Sequence, residues 1–172
     1  MFEWCCANYL LISPSKTKIM LFGVPQLLSQ LPHDVTFTLM EKELKPSATA
    51  KDLGITWDTR LTYDNHVTNI VSSSMKAFLQ INRVRHLFSS EILVKIINSL
   101  VFSKLCYCFS VWASTSATNV KKIQCVQNFA ARVITGTYKY EHITPSLKAL
   151  KWLSVTKELY LLYVKHSWHL NL

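Results

Sequence analysis

Glycine is almost absent from this chain, with three in 172 residues. There is therefore no Gly-rich phosphate loop, and no G-x-S-x-G or H-E-x-x-H motif appears either. The six histidines are dispersed, so no hydrolytic triad or zinc-protease site is expected among them. Charged residues are also few, at 17%, too few for a large solvated disordered region. No internal repeat and no low-complexity tract is visible. The longest apolar stretch, Ile92 to Val111, is interrupted by Lys95 and Lys104. A membrane-spanning helix needs about 20 predominantly apolar residues, so no membrane partner is expected.

Cysteine is present in an odd number, five. Glu3 stands where a secretory leader would carry a positive charge. The thiols are read as reduced and the protein as intracellular, in nucleus or cytoplasm and not secreted. Cys106-x-Cys108 with Cys125 is a poor metal site. Zinc pairs usually have two to four residues between them, and residues two apart on a helix point in different directions. No metal and no cofactor is expected.

What the chain does have is apolar mass, 49% of its residues, enough for a real core in one domain or two small lobes. It also has an uneven positive charge. Residues 1–86 carry nine Lys/Arg against seven Asp/Glu, and residues 87–172 carry ten against three. A basic, helix-rich second half points to a polyanionic partner, or to a surface kept soluble by lysine.

The pattern predicts the end of an apolar helix over residues 2–11, broken by Ser13-Pro14-Ser15. A strand is expected over Thr17–Phe22 and a loop over Gln26–Asp34. A second strand, Val35–Leu39, returns through a turn at 40–42 to Glu43–Lys45. Lys51–Trp57 reads as one more strand, with Leu53, Ile55 and Trp57 on one face and Gly54 allowing close approach of a backbone or ligand. From there the chain reads as helical. Asp64 is the expected N-cap of a helix to about His86, with an apolar stripe of Val67, Ile70, Val71, Phe78 and Ile81. Ser90–Tyr107 is apolar over much of its circumference and is expected to be the most buried helix. Ala117–Thr135 follows, stopped by a left-handed Gly136. Thr144-Pro145 opens a short helix, and Val155–Trp168 is a last amphipathic one. The predicted fold class is α+β, mainly helical, with a small antiparallel part over 1–60 and a helical bundle over 61–172.

Two helix ridges carry polar and basic residues: Lys76/Gln80/Arg83, at spacings of four and three, and Lys121/Asn128/Arg132, at spacings of seven and four. Tyr138 and Tyr140 flank Lys139, an aromatic–basic interleaving suited to stacking on a base. Each has the alternative of an ordinary solvated face.

The ordered cues carry a family resemblance. Leu11–Phe22 (LISPSKTKIMLF) resembles the LNPxKTKxMxF stretch found after the catalytic centre in reverse transcriptases of non-LTR (LINE-type) retrotransposons. Leu53-Gly54-Ile55, with Leu61 and His66-Val67, resembles their LGVxLDxxLxFxxHV stretch. Gln80–His86, Ser110-Val111-Trp112, Ile123–Arg132, Thr144-Pro145 and Leu150–Val155 follow in the same order. The resemblance implies a palm remnant with a primer-grip hairpin at Leu53-Gly54, then a thumb-like bundle. It places Lys16 and Lys18 beside the incoming nucleotide or its supporting strand. Ser13 departs from the usual Asn. The implied partner is a primer–template duplex. The implied activity, RNA-directed DNA polymerisation, needs metal-binding carboxylates from an earlier Asp and a Tyr-x-Asp-Asp turn. No Asp-Asp pair occurs in this chain, so the chain alone is expected to be inactive. A protein-interaction module, or a remnant without function, is the alternative. Phe2, Trp4, Leu10 and Leu27 are then candidates for a protein partner on the exposed palm face.

Overall fold

The computed structural model describes residues 2–30, 32, 35–157 and 161. They divide into two compact units, Met1–Leu61 and Thr62–Leu172. The fold is α+β and mainly helical.

The first unit begins with helix α1 (Phe2–Ala7). Residues 17–22, expected as a strand, form only a single parallel bridge, Ile19 to Pro46. A strand needs a ladder, and Pro46 has no N–H with which to extend one. The expected loop after Phe22 contains one helical turn, α2 (Pro25–Leu28), with proline at its start.

Strands β1 (Phe37–Leu39) and β2 (Lys42–Leu44) form an antiparallel hairpin, with Phe37 opposite Leu44. Its tip, Met40 and Glu41, takes φ of 48° and 67° without glycine. The single strand expected over 51–57 is instead a second hairpin. Strand β3 (Thr49–Asp52) turns at Leu53-Gly54 and returns as β4 (Ile55–Asp58). Leu53 at φ 45° and Gly54 at φ 86° supply the two left-handed residues that a tight hairpin requires. Gly54 therefore serves the turn, and Leu53, at its tip, is exposed. The core of this unit is thin: Leu44 and Ile55 are its buried apolar residues among those described.

The second unit is a helical bundle. Helix α3 (Asp64–Val84) starts one residue earlier than expected, because Tyr63, not Asp64, is the N-cap, in a left-handed conformation at φ 60°. It ends in a 3-10 turn at Arg85–Leu87. The segment expected as one helix over 90–107 is α4 (Ser90–Ile97), a π-helical turn at Asn98–Phe102, and α5 (Ser103–Cys106). Leu93, Ile97, Val101 and Leu105 are buried. They are spaced by four. An α-helix repeats at about 3.6 residues per turn, so such a stripe would wind off its face. The wider π turn holds it in line. Ile92 and Leu100, expected inside, are 44% and 49% exposed.

Helix α6 (Phe109–Trp112) ends in the fully buried Trp112, whose Nε1 donates to the Tyr107 carbonyl at 3.1 Å. Helix α7 (Ala117–Thr135) has the expected bounds. Its N-cap Ser116 accepts from Asn119 N, and Gly136 closes it at φ 71°. Helix α8 (Thr144–Ala149) follows, and residues 155–157 begin another helical turn. Leu161 is also helical, and the other residues of the expected last helix lie outside the described residues.

Helices α3 and α7 form the centre of this unit. Asp64 meets Asn119, Thr68 meets Lys122, and Phe78 meets Phe129. Partners rise together along both chains, so the two helices run parallel. Asn119 is fully buried where they begin. Its amide donates to Asp64 Oδ1 at 2.7 Å and Thr115 Oγ1 at 2.8 Å, and its carbonyl accepts from Lys122 Nζ at 3.2 Å. Replacing Asn119 with Ala should cost about 2 kcal/mol, since it removes a buried amide and its three hydrogen bonds, two of them to charged groups. Urea unfolding checks this. An unchanged midpoint would show that the junction does not hold the bundle.

Candidate nucleic-acid interface

In the first unit the predicted lysines come together with residues that the sequence reading did not single out. Lys16 and Lys18 line a groove of about 540 Å³ with Met20, Phe22, Ala50, Lys51, Asp52 and Trp57. The chain reaches it through a turn closed on one atom, the Ser13 carbonyl. That carbonyl accepts from Lys16 N at 3.1 Å, Thr17 N at 3.0 Å and Thr17 Oγ1 at 2.9 Å. A backbone oxygen does the positioning, so the Ser-for-Asn departure at 13 leaves this turn intact. Ala50 pairs with Trp57 and Lys51 with Thr56 across the hairpin, so the turn sets Lys51 beside the strand that carries the indole, and both line the groove. The signal that would have found them was the Leu53-Gly54 turn. Three lysines face one carboxylate here. Gly54 lies at the hairpin tip, away from the groove lining.

In the second unit Lys76, Gln80 and Arg83 all lie exposed on α3, opposite the buried Val67, Phe78 and Ile81. The one acidic residue on α3 is Asp64, in its first turn. The α7 ridge is different. Lys121 is exposed, but Asn128 is half-buried and its Oδ1 accepts from Gln124 Nε2 at 2.8 Å. Arg132 is half-buried and turned back on the fold. Its Nε donates to the Tyr138 carbonyl at 3.3 Å, and one Nη donates to the carbonyls of Lys139 at 3.4 Å and Glu141 at 3.1 Å. It organises the loop that presents Lys139, which is exposed. That loop also carries Tyr138 and Tyr140, 64% and 83% exposed, with rings parallel to within 4° and centroids 5.5 Å apart.

The glutamines of α7 bind the chain after α8. Gln127 Nε2 donates to the Leu153 carbonyl at 2.8 Å, and Gln124 Oε1 accepts from Val155 N at 2.9 Å. Two stretches that carried the resemblance, 123–132 and 150–155, are thus partners in the fold. An apolar cavity of about 560 Å³ lies beside them, walled by Phe102, Leu105, Phe109, Ile123, Trp152 and Val155. Cys106 and Cys108 both line it. The expectation that they diverge along a helix was wrong in its reason, because the helix stops at Cys106 and Cys108 is left-handed at φ 47°. The Tyr107 phenol is held above its ordinary value, chiefly by its hydrogen bond with Cys108 and then by the charge of that group.

Among the described residues no three His, Cys, Asp or Glu side chains gather as a metal site. Asp58 Oδ1 accepts from Arg60 N at 3.1 Å, and Asp64 is held by Asn119. Asp34 lies outside the described residues. Held in this way, Asp58 and Asp64 do not fit the metal pair of a polymerase. No described helix is long and apolar enough to cross a membrane.

Arg132→Lys should lose most of the loop contacts, because one ammonium cannot replace a planar fork serving three carbonyls. The expected result is faster amide exchange over 138–141 and roughly 1–2 kcal/mol less stability. Unchanged exchange would assign Arg132 to the surface instead.

No known family profile matches the chain, and no solved structure does. A relative is found in Drosophila melanogaster, the probable RNA-directed DNA polymerase from transposon X-element. It is 32% identical over 123 residues, covering 67% of this chain and 13% of that protein. The chain thus spans a small part of that relative's length, and it holds a region related to the RNA-directed DNA polymerases of non-LTR transposons.

Proposed function

We propose that this chain is a nucleic-acid-binding segment of a non-LTR reverse transcriptase that grips the primer–template and does not itself polymerise. The observation that carries this is where the charge lies. Residues 1–61 hold six Lys/Arg and six Asp/Glu, whereas residues 62–172 hold thirteen and four. The whole net charge of +9 therefore belongs to the helical unit. There Lys76, Gln80 and Arg83 stand on an exposed ridge suited to phosphate oxygens. On this reading the helical unit is the thumb and the Leu53-Gly54 hairpin the primer grip. The groove of Lys16, Lys18 and Lys51 would meet the strand beside that hairpin.

Binding of this kind is salt-sensitive and indifferent to sequence, because cations at phosphates release counterions. The full chain should bind an RNA–DNA primer–template at low salt. Lys76→Ala with Arg83→Ala should weaken binding and flatten the log–log salt dependence by about one per lost phosphate contact. The same mixture with nucleotides and magnesium should show no primer extension. Absence of duplex affinity at low salt would overturn the binding role, and extension by the purified chain would overturn the inactive one.

A second reading rests on exposed apolar surface in the first unit. Trp4 is 63% exposed, Leu10 52% and Leu27 60%; the Phe2 side chain lies outside the described residues. Apolar side chains so exposed suit a face that docks protein, such as the rest of a longer polymerase. Trp4→Ser with Leu27→Ser should then raise solubility and leave duplex affinity unchanged. No gain in solubility would remove this reading.

A further inference from the structure

Duplex binding through phosphates leaves one feature of the helical unit unused: the loop after α7. Tyr138 and Tyr140 place two aromatic rings side by side in solvent, parallel to within 4° at 5.5 Å. Large exposed rings on an unsupported loop would sample many rotamers. This loop is fixed from several sides. Arg132 holds the carbonyls of 138, 139 and 141. Glu141 N donates to the Tyr138 carbonyl at 3.2 Å, and Glu141 Oε2 accepts from Tyr138 N at 3.4 Å. Thr137 Oγ1 shares hydrogen bonds with Thr135 Oγ1 at 2.6 Å and Ser146 Oγ at 2.8 Å, so the loop base is tied to α7 and α8. Much of the ordering cost of a stacking surface is met before any ligand arrives.

We propose that Tyr138 and Tyr140 form a stacking platform for an unpaired nucleobase of a single strand, with Lys139 at the adjoining phosphate. The two rings already stack on each other, so a base extends the stack on an outer face. Tyr140, 83% exposed, offers the more open one. A paired base inside a duplex has no free face to give, which separates this site from the α3 ridge. Stacking also tolerates any base, because every base offers a flat face. Glu141 is the nearest acid in sequence, and its carboxylate is engaged with the Tyr138 amide. Lys139 is left as the charge the loop presents.

The test uses the full chain and three fluorescent probes: a short mixed-sequence single strand, an abasic strand of the same length, and a duplex. Tyr138→Ala with Tyr140→Ala should lower single-strand affinity roughly tenfold or more. The double Phe variant should keep that affinity, because stacking needs the ring and not the hydroxyl. The abasic strand should bind the parent as weakly as the intact strand binds the double Ala variant. Duplex affinity should not change. Both rings are exposed, so circular dichroism should report an unaltered fold. Equal parent affinity for abasic and intact strands, an unaffected Ala variant, or an equal loss on duplex would each overturn the platform. Failure of duplex binding alongside tyrosine-dependent single-strand binding would sink the α3 proposal and spare this one.

Discussion

The helical unit is organised around the meeting of α3 and α7 at their N-termini. Parallel helices bring two positive dipole ends side by side, which is unfavourable unless a negative group stands between them. Asp64 is that group. Asn119, with no solvent exposure, carries its carboxylate to the start of α7, and Lys122 bonds the other end of the same amide. Thr115 joins in, accepting from Asn119 and donating to the Thr62 carbonyl at 2.9 Å. A buried amide with several partners tolerates few alternative geometries. It fixes the axial register of the two helices, and the apolar contacts further along, such as Phe78 on Phe129 at 5.3 Å, follow from that register.

Helix α7 then distributes this order. One face packs on α3, while Gln124 and Gln127 capture the backbone at Val155 and Leu153 and Arg132 gathers the 138–141 loop. These are polar side chains on a helix that a charge-counting view would assign to solvent or to phosphate. Their work is internal. An ungathered chain after α8 would expose backbone groups with no partner beside the apolar wall of Trp152 and Phe102, whose rings meet at 5.0 Å.

Legibility in the sequence followed how local the determining physics was. Helix α7 was readable to its end residues because its stripe, its start at Ser116 and its Gly136 stop all lie within the segment. The α3 ridge was readable for the same reason. Thr17–Phe22 was not, because strand character depends on a partner, and Pro46 offers one bridge. The break in 90–107 was hidden because a π turn leaves no proline or glycine behind; only the four-residue spacing of Leu93, Ile97, Val101 and Leu105 hints at it. The roles of Arg132 and Asn128 were hidden because a helical wheel shows which way a side chain faces and not whether a loop returns to meet it. Lys51 was missed for want of one turn: reading 51–57 as a single strand sent Lys51 and Trp57 apart, and the hairpin brings them together.

Charge and aromatic surface divide the chain in a way that bears on what a polymerase needs downstream of its chemistry. A duplex must be held but allowed to advance, so its contacts should be numerous, weak and blind to sequence. Exposed lysine and arginine on a helix ridge meet that need, since each phosphate contact is screened and exchangeable. An unpaired strand presents base faces as well as phosphates, and a pair of stacked rings on a fixed loop suits holding it without reading it. The first unit, electrically balanced overall, concentrates three lysines and an indole in one groove. On the proposed reading, local placement there does what net charge does in the second unit. On that same reading the helical unit separates backbone tracking from base stacking, and Arg132, through its bonds to the carbonyls of 138, 139 and 141, holds the loop on which the stacking rings stand.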